Sequence, residues 1–249
     1  MEKIIYAIIA SNHGHTELIG TMKGIQGISG SAIYVLSFND ISVAVSDFTP
    51  SKYTINKELA IDFARVIEEL SQQVTLLPIR FGTFLKSDKN INQLLINHYD
   101  SFLNNLQKVE NKYEFGLKAL WDYEKCSEKI RVKAESEAVK AGDYFSKSTI
   151  HTNYLLEKIN KHRLEDALLK HVEQLIEEIS RHLAQINPDC KFKKMVTRSI
   201  ILDAVFLVKK SKKDDFIQAI EALKQQHDDL HFLLTGPWPP YSFVEITID

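Results

Sequence analysis

Apolar residues in this chain switch between two spacings, and the switches mark out its elements. Ile4 to Ala10 is an unbroken apolar run that reads as a first strand. Ser31 to Asp47 divides at Asn39-Asp40 into two strand-like halves, which predicts a hairpin. In its second half Ile41, Val43 and Val45 alternate with Ser42, Ala44 and Ser46, the period of a sheet packed on one face. Gly14, Gly20, Gly24, Gly27 and Gly30 predict a loop with at most a short helix over His13 to Gly30. Leu59, Phe63, Val66, Ile67 and Leu70 then recur at helical spacing, ahead of an apolar strand that carries Arg80. From an N-cap at Ser87, the apolar positions Ile91, Leu94, Leu95, Phe102, Leu103, Leu106 and Val109 predict one long amphipathic helix ending near Asn111.

Alternation resumes at Tyr113, Phe115, Leu117, Ala119 and Trp121 against Glu114, Gly116 and Lys118, and starts a new strand. Helix formers and charges dominate Asp122 to Pro188, broken around Gly142 to Thr152, which predicts a helical hairpin. Its second arm has a narrow stripe of Leu164, Leu168, Val172, Leu175, Ile176, Ile179, Leu183 and Ile186. Further strands are expected over Ser199–Val208, Leu230–Leu234 and Ser242–Ile248, with a helix over Asp214–His227. The predicted class is α+β with two domains, 1–111 and 112–249. The second is expected to be a modified ferredoxin-like sheet with the helical hairpin inserted at about 122–188.

Two strings stand apart from this patterning. Leu76-Leu77-Pro78-Ile79-Arg80-Phe81-Gly82-Thr83-Phe84 sets an arginine and a glycine in apolar surroundings. If buried, Arg80 needs a carboxylate or several carbonyls, and Asp203 is one conceivable partner. In Thr235-Gly236-Pro237-Trp238-Pro239-Pro240-Tyr241-Ser242-Phe243-Val244 each proline fixes its own φ and biases its predecessor toward extended geometry. Gly236 to Pro240 is therefore expected to be a rigid, polyproline-like joint. Trp238, Pro239, Pro240 and Tyr241 carry two readings, a structural lock for the last strand and a set of rigid interface anchors.

With Tyr113-Glu114-Phe115-Gly116-Leu117-Lys118 between them, the two strings resemble the gas vesicle protein L/F family. That family shares an "LPxRFGT" segment, an "EWGLK"-like strand, here with Phe115 at the tryptophan position, and a "TGPWPPYSF" segment. The resemblance implies a minor, non-enzymatic gas vesicle protein that helps to build or nucleate the shell. Its implied partners are the hydrophobic major shell protein and other minor gas vesicle proteins, and its implied location is the cytoplasm in association with the vesicle. Arg80, Phe81, Trp238, Pro239, Pro240 and Tyr241 become the candidate partner-binding or structural residues.

Composition narrows the alternatives. The 249 residues can bury a sizeable core, and no apolar run reaches the eighteen residues of a membrane span. The opening Met1–Ala10 run lacks a convincing cleavage site and is taken as a strand. Cys126 and Cys190 are far apart, which argues against a disulfide scaffold or zinc ribbon and fits a reducing compartment. A net charge of -2 gives no general pull toward nucleic acid or acidic lipid. Lys191-Phe192-Lys193-Lys194 and Lys209 to Lys213 are short basic clusters of the kind found in solvated turns.

His13, His15 and Glu17 form the best-looking metal set, though no third ligand stands at a recognised spacing. His151, His162, His171 and His182 are expected on helix surfaces. No phosphate loop, nucleophile elbow or HExxH pattern occurs, so no cofactor, metal or catalytic residue is assigned. A ligand-binding regulator or enzyme with an anion pocket at Arg80 is the second reading. An RNA-binding module built on Arg80-Phe81-Gly82-Thr83-Phe84 is the third.

Overall fold

The computed structural model describes residues 2–11, 24–49, 56–125, 127–129, 131–132, 150–186, 188–194, 197, 199–227 and 230–245. The chain divides into a first unit, Met1–Glu114 with Pro237–Asp249, and a second, Phe115–Gly236. The final segment, assigned from sequence to the second domain, therefore groups with the first.

In the first unit β1 (Glu2–Ala10), β2 (Ile33–Phe38), β3 (Ile41–Phe48), β4 (Leu76–Pro78) and β5 (Phe84–Leu85) form one sheet. Its order is β2-β3-β1-β4, with β5 also on β1. The predicted hairpin is there: Phe38 pairs with Ile41 across the Asn39-Asp40 turn, and Asn39 takes φ 50. The alternation along β3 does not mean one solvated face, however, because Ser42 and Ser46 are as buried as their apolar neighbours. β3 is an inner strand, and each serine finds a hydroxyl: Ser46 bonds Tyr6 at 2.8 Å and Ser42 bonds Ser37 at 2.7 Å.

The helix α1 (Lys57–Gln73) is capped by Asn56, whose side chain accepts the Leu59 N–H at 3.0 Å. It lays Leu59, Phe63, Val66, Ile67 and Leu70 on Ile4, Tyr6, Ala7, Ile9 and Ala44. The predicted long helix after Ser87 is two, α2 (Asp88–Asn97) and α3 (Tyr99–Val109), separated at His98. At that joint His98 leaves helical geometry with φ -115 and ψ 15, which turns α2 onto β2 and α3 onto β1, β3 and β4. Ser87 is the N-cap of α2 as expected.

In the second unit, counting strands from Lys112, the elements run β6 (Lys112–Trp121), α4 (Ile150–His182), β7 (Asp189–Lys194), β8 (Ile200–Lys209), α5 (Lys213–Gln226) and β9 (Leu230–Trp238). The sheet order is β7-β8-β6-β9. Phe115 and Phe206 both meet Phe216 of α5, with ring centroids 5.0 and 5.4 Å apart. The stripe on α4 buries Leu168, Val172, Leu175 and Ile179, and the helix packs on α5. Most of the first arm predicted for the hairpin falls on residues 133–149, which lie outside the described residues.

β9 runs straight through Gly236-Pro237-Trp238, so no separate joint begins at Gly236. It lies at a sheet edge, where a proline without an N–H is tolerated. Nor does a strand start at Ser242: Tyr241–Phe243 is a 3-10 turn.

Candidate functional site

Two of the unusual strings meet at one groove in the first unit. Its volume is about 660 Å³, and it is lined by Ala60, Phe63 and Ala64 of α1, by Pro78, Ile79, Arg80, Phe81 and Thr83, and by Tyr241 and Val244.

The first wall follows from how β1 is paired. Ala7 faces Pro78 on β4 and Ile4 faces Phe84 on β5, so the chain leaves the sheet edge over Ile79–Thr83 and returns. Both ends of the excursion are clipped to β1: Ile79 N–H donates to Tyr6 O at 2.9 Å, and Ile5 N–H donates to Thr83 O at 3.3 Å. Within it Thr83 N–H and Thr83 Oγ1 both donate to Arg80 O, at 3.3 and 2.8 Å. That makes Arg80 to Thr83 a β-turn with Gly82 at its third position, where φ is 91. Only glycine enters that region freely, as a type II turn requires. A methyl on Gly82 would meet nothing within 4 Å, so the backbone angle alone demands the glycine.

Arg80 is therefore exposed at the mouth of a turn, not buried in a strand. Pro78 closes β4, and the turn swings the arginine out. Asp203, the partner considered for it, lies in the second unit with its carboxylate 3.8 Å from Lys118. The likeness to an RNA-recognition strand also loses its basis, because Phe81 and Gly82 sit in a turn and present no ring on a sheet face. Phe81 instead packs on Phe63 of α1 at 5.3 Å, and Phe63 stacks on Tyr6 at 5.2 Å. β1 carries a bulge between Ile5 and Ala7 that turns Tyr6 onto this face, where its hydroxyl accepts the Ile28 N–H at 2.9 Å. Burial pushes the Tyr6 phenol up.

The second wall is the segment after β9. Tyr241 N–H donates to Pro239 O at 2.8 Å, and Pro240 has φ -79 and ψ 56. That is an inverse γ-turn, and it replaces the extended polyproline path expected from sequence. Pro239 and Pro240 are buried, and the chain bends behind them into the Tyr241–Phe243 turn.

Glu114 holds this bend. Its carboxylate accepts the Ser242 N–H through Oε2 and the Ser242 hydroxyl through Oε1, each at 2.7 Å, and the residue is 6 % exposed. Asn105 of α3 adds a looser pair to Glu245, accepting its N–H at 3.3 Å and donating to its carbonyl at 3.5 Å. Tyr241 thereby lines the groove while 45 % exposed. Desolvation of its hydroxyl, together with the charges of Glu68 and Glu114, pushes that group up to about 12.

The structure thus brings Arg80, Phe81 and Tyr241 together, and the buried Pro239 and Pro240 lead the chain into Tyr241. Trp238 is 41 % exposed on β9 and does not line the groove. Sequence reasoning missed Glu114, placing it with the polar side of β6. The third string does contribute inside the second unit, where a methyl on Gly116 would come within 2.7 Å of Thr235 Oγ1. The candidate metal set His13, His15 and Glu17 lies outside the described residues.

A family model described as gas vesicle synthesis protein GvpL/GvpF matches residues 3–245. The chain belongs to the GvpL/GvpF family. Its role accordingly lies with gas vesicles. Gas vesicle protein F of Microcystis aeruginosa (strain PCC 7806) is 25% identical over 233 residues, covering 89% of this chain and 91% of that protein. Gas vesicle protein F of Streptomyces sp. (strain CB03234) is 25% identical over 253 residues, covering 98% and 100%. The GvpL/GvpF fold is also that of the crystal structure of GvpF from Anabaena sp. PCC7120, with a TM-score of 0.82, 20% identity and 99% of each chain covered. GvpF from Microcystis aeruginosa gives 0.75 at 20% identity over 98% and 99%. Among the described residues no helix of this GvpL/GvpF member is long and apolar enough to cross a membrane.

Proposed function

We propose that this protein is a non-enzymatic assembly factor that holds the hydrophobic major shell protein while the gas vesicle shell is nucleated or extended. It would do so in the cytoplasm at the vesicle, alongside other minor gas vesicle proteins and without nucleic acid or lipid. The observation that carries the reading is the groove between α1, the Ile79–Thr83 turn and Tyr241. Its floor of Ala60, Phe63, Ala64, Pro78 and Ile79 offers apolar contact, not an acid and base facing one another. Shell subunits whose apolar faces would otherwise aggregate are suited to such a surface. Phe81 and Tyr241 supply rigid aromatic walls that lose little rotamer freedom on binding. The buried Pro239 and Pro240 fix the turn that leads into the second wall, and Trp238 is a further exposed aromatic next to it in sequence.

The same proposal includes the architecture of the second unit. Strand, helix, strand, strand, helix, strand with sheet order β7-β8-β6-β9 is the arrangement of a ferredoxin-like layer in which α4 is the enlarged first helix. We place the boundary between the units within β6.

The test is co-purification of freshly made shell subunits with the tagged protein. Wild type retains them, and Phe81→Asp, which puts a charge on the groove wall, reduces retention at least about tenfold. Equal retention by Phe81→Asp would remove the groove from the interaction. No retention by wild type would remove the function.

A further inference from the structure

The floor and the rim of the groove ask for different things. Its lining is apolar at Ala60, Phe63, Ala64, Pro78 and Ile79 and polar at Arg80, Thr83 and Tyr241, with the Thr83 hydroxyl already donating to Arg80 O. Arg80 is exposed, and its side chain makes no hydrogen bond or ion pair among the described residues. The acids of α1 nearest the other arginine are already engaged: Arg65 holds Glu69 at 2.9 Å and Asp62 at 4.0 Å. Arg80 is thus a fork of donors beside an apolar surface, with no carboxylate on it among the described residues.

We infer that the groove docks a protein segment that lays apolar side chains on the α1 floor and pairs an Asp or Glu beside them with Arg80, which deepens the assembly reading by stating what the bound segment must contain. A free small anion gains too little from a single exposed cation, since water and salt screen such a pair and it strengthens binding by no more than about fivefold. A purely apolar ligand leaves the guanidinium stripped of water on one side without an acceptor. A segment with both parts satisfies both surfaces, and a volume of about 660 Å³ has room for more than one side chain.

The groove also has a direction. Glu68 and Glu114 act on the Tyr241 hydroxyl, so a carboxylate is repelled from that end and drawn to Arg80. Charge complementarity of this kind sets register and excludes wrong partners more than it adds raw affinity.

The experiment is selection of random heptapeptides displayed on phage against the full-length protein, followed by fluorescence anisotropy of the enriched peptides. Wild type should enrich sequences in which an Asp or Glu adjoins at least two apolar residues, and Arg80→Gln should weaken those peptides about two- to fivefold. Arg80→Glu, an exposed change that leaves the turn's backbone bonds intact, should exchange the acidic preference for Lys or Arg while keeping the apolar one. Enrichment without an acidic preference, enrichment unaffected by Arg80→Glu, or no enrichment each overturns the inference. Shell co-purification run in parallel separates the two claims. Subunits retained equally by wild type and Arg80→Glu would remove the carboxylate contact and leave the assembly role standing, and subunits never retained would remove the role.

Discussion

The two walls of the groove are built in opposite ways. The Ile79–Thr83 wall is an excursion from a sheet edge, tied at each end to β1 by main-chain bonds at Tyr6 O and Ile5 N–H. Its shape is set by the backbone and by one glycine, so most of its side chains can change without moving it. The Tyr241–Val244 wall has only the local turn bonds at Pro239 O and Pro240 O; beyond these its bend is held by one buried carboxylate and steadied by Asn105. One wall spreads its support along the chain, and the other concentrates it in Glu114.

Removing the concentrated support should cost most. Glu114→Ala removes the carboxylate that accepts the Ser242 N–H and hydroxyl, and about 2–3 kcal/mol of stability is expected to go in urea denaturation. Hydrogen exchange at the Ser242 amide should accelerate in the same variant. A loss under about 0.5 kcal/mol would mean that the second wall is held elsewhere. The first wall should answer chiefly to Gly82→Ala, at about 1–2 kcal/mol, because the space is free and only the positive φ resists. Gly82→Asn should recover part of this, since asparagine tolerates that region better than alanine.

Alkaline titration distinguishes the walls by another route. Tyr241 moves from an ordinary 10.0 to about 12 in the folded protein, so the unfolded chain loses this proton first. Its contribution is complete below pH 10 and declines as pH rises from there through about 12. Tyr241→Phe should therefore flatten part of the fall in thermal midpoint over that range, and an unchanged profile would contradict the assignment. The smallest effect belongs to Asn105→Ala, below about 1 kcal/mol, because its two bonds to Glu245 are long and exposed and its third, to Ser101 O, is exposed as well. A larger loss there than for Glu114→Ala would reverse the ranking of the two anchors.

Much of the fold could be read in the periodicities. The β2–β3 hairpin, the apolar face of α1, the Ser87 cap and the stripe on α4 all depend on local spacing, and local spacing is what a sequence displays. The misreadings share one cause, since each depended on what lay across from the residue. Ser42 and Ser46 look like a solvated face until Tyr6 and Ser37 supply hydroxyls to them. Glu114 has the parity of an outward residue, and only the return of Ser242 from 128 positions away makes it an inward one. Arg80 looked buried because its neighbours are apolar, but a proline before it and a glycine after it make a turn. The groove could be suspected, since its walls are the two oddest strings, but that both stand against α1 required the folded chain.

That Pro237–Asp249 belongs with Met1–Glu114 has a consequence for synthesis. A ribosome releases Glu114 and then the whole of Phe115–Gly236 before Ser242 emerges, so the first unit cannot finish until the intervening unit has been made. A nascent chain therefore has no complete groove until synthesis has passed Tyr241 and Val244, however early its α1 and Ile79–Thr83 walls have formed.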